Sequence, residues 1–348
     1  RSGIILGSDY KRFSARVNYE KNVSDDFKFG LTSTTSSSLL NGISANNSSA
    51  NLSAPNTLAG VLLQSPAVPI YNADGSYNLT SNPYVASVNG YIQNPIADLV
   101  STTNQTKVNR VLTSLFGEYI ITNELTAKVT LNGDLIDTKQ NYYAPSFTTN
   151  GAANKGVALV GNRNVTTWLN ENTLTYNKAF GLDHQISVLA GYTVQQTEGE
   201  VATANSYGFV NDINKYNALQ DGSAGKPFSD AYKSVLKSWL GRVNYSLLQR
   251  YHFTVSARAD GSSRFGSASR WGFFPSAGFS WNITDEEFAK NIPGVSDIKL
   301  RLSTGTTGNQ EIADYLSLAS LGSTNYNLGG TNLTGFSPTR LSNPDLKW

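Results

Sequence analysis

The sequence predicts an all-β chain: an antiparallel up-and-down transmembrane β-barrel segment of about ten long strands. Three observations carry that expectation. Apolar and polar residues alternate with a period of two along stretch after stretch of the chain. The stretches are long, and the connections between them alternate between short and long.

The elements follow in order. The first strand sets Phe13, Ala15, Val17 and Tyr19 against Arg12, Ser14, Arg16, Asn18 and Glu20, so one face is apolar and the other polar. The second continues with Phe27, Phe29 and Leu31 against Lys28, Gly30 and Thr32. The third lies near 108–121, and the fourth sets Leu125, Ala127, Val129 and Leu131 against Thr126, Lys128, Thr130 and Asn132. Strands are expected near 165–178, 184–196 and 234–247. The eighth sets Tyr251, Phe253, Val255, Ala257 and Ala259 against His252, Thr254, Ser256, Arg258 and Asp260, and the last two lie near 273–283 and 297–305. Several exceed the ~9–11 residues that cross a bilayer at a tilt.

Register is constrained as well. A three-residue loop at Leu248–Arg250 places Leu247 opposite Tyr251, Tyr245 opposite Phe253 and Val243 opposite Val255. A loop at Thr122–Glu124 places Ile121 opposite Leu125, Tyr119 opposite Ala127 and Leu115 opposite Leu131. A slip of one residue would turn every side chain to the wrong face.

Short connections are expected near 21–26, 122–124, 179–183, 248–250 and 284–296, and long ones near 35–106, 138–164, 197–233, 260–272 and 306–345. Short periplasmic turns and long extracellular loops are the pattern of an outer-membrane barrel. Thr284 and Glu287 have the spacing of a capping box ahead of Phe288. A soluble β-sandwich also alternates, but its strands are shorter and its loops do not sort into two length classes.

Composition narrows the class. The chain is 39% hydrophobic and 15% charged, yet 11% aromatic, which suits long strands joined by polar loops and not disorder. A formal charge of +2 gives no basic stripe for nucleic acid. Cysteine is absent and histidine occurs twice, so disulfides, thiol chemistry and soft-ligand metal sites are not expected, nor is any cofactor. No apolar run has the length of a membrane helix, which leaves a strand-built membrane protein open. The chain begins at Arg1 and ends at Trp348 beside an incipient strand, and both ends read as truncations.

Tempting chemistry is sparse. Asn72–Ser76 resembles the start of a calcium loop but lacks the glutamate at position twelve, so a β-turn is expected. Gly305–Gln310 is glycine-rich without the Gly-Lys-Ser/Thr that grips phosphate. Neither His184 nor His252 has a nucleophile placed beside it by any recognisable elbow. The chain is not expected to be an enzyme.

Several segments in order resemble the barrel motifs of SusC/RagA-type TonB-dependent transporters. They are Gly7–Arg12, Tyr71–Tyr77, Trp168–Asn172, Val188–Tyr192, Arg258–Gly266 (Arg-Ala-Asp-Gly-Ser-Ser-Arg-Phe-Gly), Arg270–Trp281, Asp285–Phe288, Ile298–Ser303 leading to Gly308–Gln310, and Asn343–Trp348 (Asn-Pro-Asp-Leu-Lys-Trp). No single motif is decisive; the ordered series spans nearly the whole chain. The resemblance implies a barrel of about 22 strands, of which residues 1–348 form part, with the plug domain and the terminal strands missing. It implies a multi-pass protein of a Gram-negative outer membrane that imports oligosaccharides or peptides. Its partners would be a SusD-like lipoprotein, and the TonB complex through the missing plug. Two alternatives stay open: a passive porin, or a soluble carbohydrate-binding all-β protein.

In a barrel the apolar face meets outer-membrane lipid, and the polar face lines a wet lumen. Arg242, His252, Arg258, Asp260, Lys299 and Arg301 belong to the expected lumen set. For substrate, Arg264, Phe265, Arg270 and Trp271 cluster in the 260–272 loop, where aromatic rings and guanidinium suit sugar rings and hydroxyls. The competing reading is that Arg and Asp brace the loop base by ion pairing. Tyr142 and Tyr143 make a weaker case of the same kind.

Overall fold

The computed structural model describes residues 2–42, 61, 64–79, 94–290 and 293–348. Its main sheet is a single antiparallel layer. The strands are β1 (Asp9–Asn22), β2 (Phe27–Asn41), β3 (Thr103–Ile120), β4 (Leu125–Ala144), β5 (Val157–Phe180) and β6 (His184–Tyr207), then β8 (Phe228–Leu247), β9 (Tyr251–Ser262), β10 (Trp271–Asn282) and β11 (Lys299–Gly305). Each pairs with the next in sequence, and the two-residue β7 (Ser223–Ala224) adds to the end of β6. The sheet is open, with β1 and β11 at its edges. A separate hairpin, β12 (Ser320–Leu328) and β13 (Thr331–Arg340), and a short helix, α1 (Pro95–Ser101), stand apart from it.

The expected registers hold. Val243 pairs with Val255, Tyr245 with Phe253 and Leu247 with Tyr251; Leu115 pairs with Leu131 and Tyr119 with Ala127. The Leu248–Arg250 turn is so tight that Leu248 and Gln249 both take positive φ, 55° and 56°, an uncommon conformation for residues with a Cβ.

One apolar face therefore runs across the sheet, from Val17 and Tyr19 through Leu115, Leu131, Leu174, Val188 and Val243 to Val255, Ala277 and Leu302. Among the described residues no second layer of protein covers it: Val255 and Trp239 are each 58% exposed. A sandwich would have buried them. On β4 this band runs from Leu125 to Leu135, a rise of about 34 Å along the strand and about 26 Å across a membrane at a tilt near 40°.

The strands outrun the apolar pattern that located them. β4 continues to Ala144, β5 begins at Val157 and β6 continues to Tyr207. Backbone pairing does not require apolar side chains, so polar residues above the band stay in the ladder. The connections at 138–164 and 197–233 shrink accordingly. The 306–345 connection holds the β12–β13 hairpin, and Pro344–Trp348 is irregular chain rather than the start of a strand. Part of the 35–106 connection lies outside the described residues.

The capping box at Thr284 and Glu287 does not form. Ile283–Asp285 is a single 3₁₀ turn without a side-chain cap, and Thr284 Oγ1 instead accepts from the Ile298 amide at 3.0 Å. The partner segment across the turn competes successfully for that hydroxyl. At Asn72–Ser76 the turn reading stands: the Asn72 amide donates to the Ser76 carbonyl, and Gly75 takes φ 83°.

Candidate functional site

Opposite the apolar face lies a polar one that is rich in paired charge. The registers place Arg242, His252, Arg258, Asp260, Lys299 and Arg301 together on it. Arg110 grips Asp134 with two parallel bonds of 2.8 and 2.7 Å. Lys28 meets Glu20 at 2.8 Å and Lys128 approaches Glu118 at 3.5 Å. Between the two lysines lies the Phe116 ring, with Lys128 Nζ 4.3 Å and Lys28 Nζ 5.7 Å from its centroid. The ring lies against Gly30, where a Cβ would come within 2.3 Å of it; the missing side chain is what lets the ring approach the wall. Arg258 Nε donates to Asp260 at 2.6 Å, and its Nη2 donates to the buried Ser238 hydroxyl at 3.0 Å. The Lys28–Glu20 and Lys128–Glu118 pairs are half exposed to exposed, so they order the side chains more than they stabilise the sheet, whereas Asp260 is buried beneath Arg258.

Above the band the strands carry small packed clusters. The loop after β9 does not assemble a stacking surface from Arg264, Phe265, Arg270 and Trp271. Phe265 is 2% exposed and packs on Trp348 with ring centroids 5.0 Å apart. It belongs to the loop's core, because apolar burial outweighs display of a ring to water. Arg264 Nε donates to Asp314 at 2.9 Å and Nη1 to the Gln310 carbonyl at 3.2 Å, which is the bracing role. Trp271 sits across from Gly261 on the apolar face, away from that brace. Arg270 remains exposed, and its carbonyl accepts from Trp348 Nε1 at 2.8 Å.

Tyr142 and Tyr143 separate onto opposite faces, as neighbours in a strand must. Tyr143 is fully buried against Ala158 and Phe209, and its phenol donates to Asp212 at 2.5 Å. It is core rather than a contact surface. Tyr142 lines a polar cavity of about 200 Å³ with Asn41, Asp98, Asn104 and Asn150.

Helix α1 closes one side of that cavity. Asn94 caps it, accepting from the amides of Ile96 and Ala97, and donates to the carbonyls of Ile70 and Asn78. Asp98 accepts from the Thr149 amide at 2.8 Å and from its hydroxyl, joining α1 to the β4–β5 loop. Burial raises the Asp98 carboxyl above its ordinary value, and the Thr149 bonds only partly offset this. Asn94 followed by Pro95 is a readable cap-and-N1 signal; Asp98 and Asp314 left none.

At the opposite end Glu286 gathers three donors: Tyr251 Oη at 2.5 Å, Trp281 Nε1 at 3.1 Å and Arg250 Nη1 at 3.0 Å. Its carboxyl is held below the usual range, first by the Tyr251 bond and then by that from Trp281.

The family described as TonB dependent receptor-like, beta-barrel matches residues 60–348. The chain is 32% identical over 349 residues to TonB-dependent receptor P3 of Formosa agariphila, covering 100% of this chain and 34% of that protein. It is 29% identical over 381 residues to TonB-dependent receptor SusC of Bacteroides thetaiotaomicron, covering 100% and 35%. Among solved structures it resembles a chain of the RagAB peptide transporter, with a TM-score of 0.80 at 23% identity over 98% of this chain and 37% of that one, a likeness of fold. The chain thus spans about a third of the length of the curated relatives it matches.

Proposed function

The chain belongs to the TonB-dependent receptor-like β-barrel family, and from that premise we propose that it is a section of the barrel wall of an outer-membrane importer. The reading rests on one observation above all: an apolar and a polar face run across most strands of the main sheet, and among the described residues no second layer covers the apolar band. Its apolar face meets lipid, and the face bearing Arg242, His252, Arg258, Asp260, Lys299 and Arg301 surrounds a water-filled passage.

The whole importer is a multi-pass barrel of about 22 strands, of which this chain supplies under half. It takes up oligosaccharides or peptides with a SusD-like lipoprotein over its mouth, and draws energy through TonB contacts made outside this chain. The relative called SusC and the structure titled as a peptide transporter support this reading. Of the residues that suit a substrate contact, Tyr142 and Arg270 stay accessible, whereas Arg264 positions the loop.

Substitution of adjacent residues tests the orientation. Val255→Arg, on the apolar face near mid-strand, costs about 2–4 kcal/mol of barrel stability in lipid. Ser256→Arg, one residue along on the other face, costs far less. Both are measured by reversible unfolding of the full receptor into urea from lipid vesicles. Equal penalties overturn the orientation.

A further inference from the structure

Just above the apolar band, the outward face carries lysines that are held close together and given no partner. Lys107 of β3 and Lys139 of β4 are paired directly across the ladder on that face, and Lys11 of β1 lies on the same rung beyond Leu39. Each sits one or two rungs above the top of the apolar band on its own strand: Lys107 above Val111, Lys139 above Leu135 and Lys11 above Phe13. On β8 Lys237 stands next above Trp239 on the same face, with Val235 beyond it. All four are exposed, and among the described residues none makes an ion pair.

Like charges directly opposite each other in a sheet are destabilising. On the strands that bear Lys11, Lys107 and Lys139, two carboxylates lie on neighbouring rungs of this face, and neither is within ion-pair distance of a lysine. Asp9, one rung above, accepts from Asn41 at 2.8 Å, and Asp137, one rung below, accepts from Asn109 at 3.5 Å. The row from Lys11 to Lys139 spans three strand spacings, about 14 Å. Its height is set by the band, which on β4 ends at Leu135 after about 26 Å; headgroups begin there. The Tyr143–Phe209 cluster covers the same face immediately above, which bounds the row from the water side.

We propose that this row, centred on Lys107 and Lys139, is a binding site for the phosphate groups of an anionic lipid in the leaflet on the long-loop side of the membrane. The inference rests on the apolar face meeting lipid. Lipid phosphate supplies the direct ion-pair partner that these lysines lack within the described residues, and holds the wall at a fixed depth.

The test uses the full receptor in nanodiscs of phosphatidylcholine containing either a bisphosphorylated lipid A or the same lipid dephosphorylated. Retained lipid is counted by native mass spectrometry. The wild type retains the phosphorylated form preferentially. The double variant Lys107→Gln with Lys139→Gln loses about 25-fold of that preference, roughly fivefold per lysine. Lys128→Gln, on the opposite face, leaves the preference unchanged. In lipid-free detergent the double variant melts no lower than the wild type, since it removes a repulsion; a loss of lipid is then not a loss of fold. The proposal is overturned if the two lipids are retained equally, if the double variant retains the phosphorylated lipid as well as the wild type does, or if inorganic phosphate at equal concentration displaces it fully. Should Val255→Arg and Ser256→Arg behave as expected while any of these results is found, the lipid site alone fails.

Discussion

The band of β8 and β9 and the loop that crowns β9 obey different physical rules. In the band, Val243 faces Val255 and Tyr245 faces Phe253, and every such residue remains exposed or half-exposed in the protein. A few residues higher, Phe265 is buried and Arg264 is tied to Asp314, fifty positions away. The band is stabilised by its ladder and by the solvent it faces. The crown is stabilised by protein packed on protein. The same contrast recurs on β4, where Leu131 is outward and exposed, whereas Tyr143 on the same face is fully buried under Phe209. A residue's exposure is therefore set by its height along the strand as much as by its face.

That contrast is most sharply tested by Phe265→Ala. It removes a buried ring and costs about 3–5 kcal/mol locally. Hydrogen exchange of the full receptor shows faster exchange confined to 262–270 and 343–348, with the band unchanged. Faster exchange spreading down β9 breaks the division into two regions.

Tyr143→Phe keeps the packing and removes the bond to Asp212, at a cost of about 1 kcal/mol. Proteolysis of the 208–222 loop reads it out, with the barrel's heat-dependent gel mobility unaltered.

Acid separates the lower turn from both regions. Glu286 has a depressed folded pKa, so its contribution is complete above the ordinary carboxylate value and is lost as pH falls through the lowered one. Exchange at 283–290 accelerates on that acid limb in the wild type, and Glu286→Gln flattens the dependence. An unchanged acid limb in the variant assigns the sensitivity to another group.

The smallest effect is expected on the polar face. Lys128→Gln breaks an exposed pairing with Glu118, and unfolding shifts by no more than about 0.5 kcal/mol. A dry interior would instead make the loss several times larger, and would place protein rather than water against this face.

Much of the band was legible in order along the chain. Period-2 alternation follows from strand geometry alone, so Phe13 to Tyr19 or Tyr251 to Ala259 announce their two faces without any knowledge of neighbours. The two registers were legible because short turns leave the chain one arrangement that keeps both apolar rows together. The Thr284 cap failed because a nearer amide, from Ile298, took the same hydroxyl. Arg264, Phe265, Arg270 and Trp271 do not point together, because closeness in sequence says nothing of direction: one side chain went to the core, one to Asp314 and one to the apolar face.

By itself the sequence determined the ten long strands of the main sheet, their two faces and the register of the hairpins at 122–124 and 248–250, since these depend on backbone geometry within a few tens of residues; the β12–β13 hairpin was not legible. The tertiary structure alone decided that among the described residues no second layer covers the apolar band, which aromatic rings are core, and which charges pair across distant loops. Those outcomes depend on contacts between residues such as Tyr143 and Asp212, or Arg264 and Asp314, which nothing local relates.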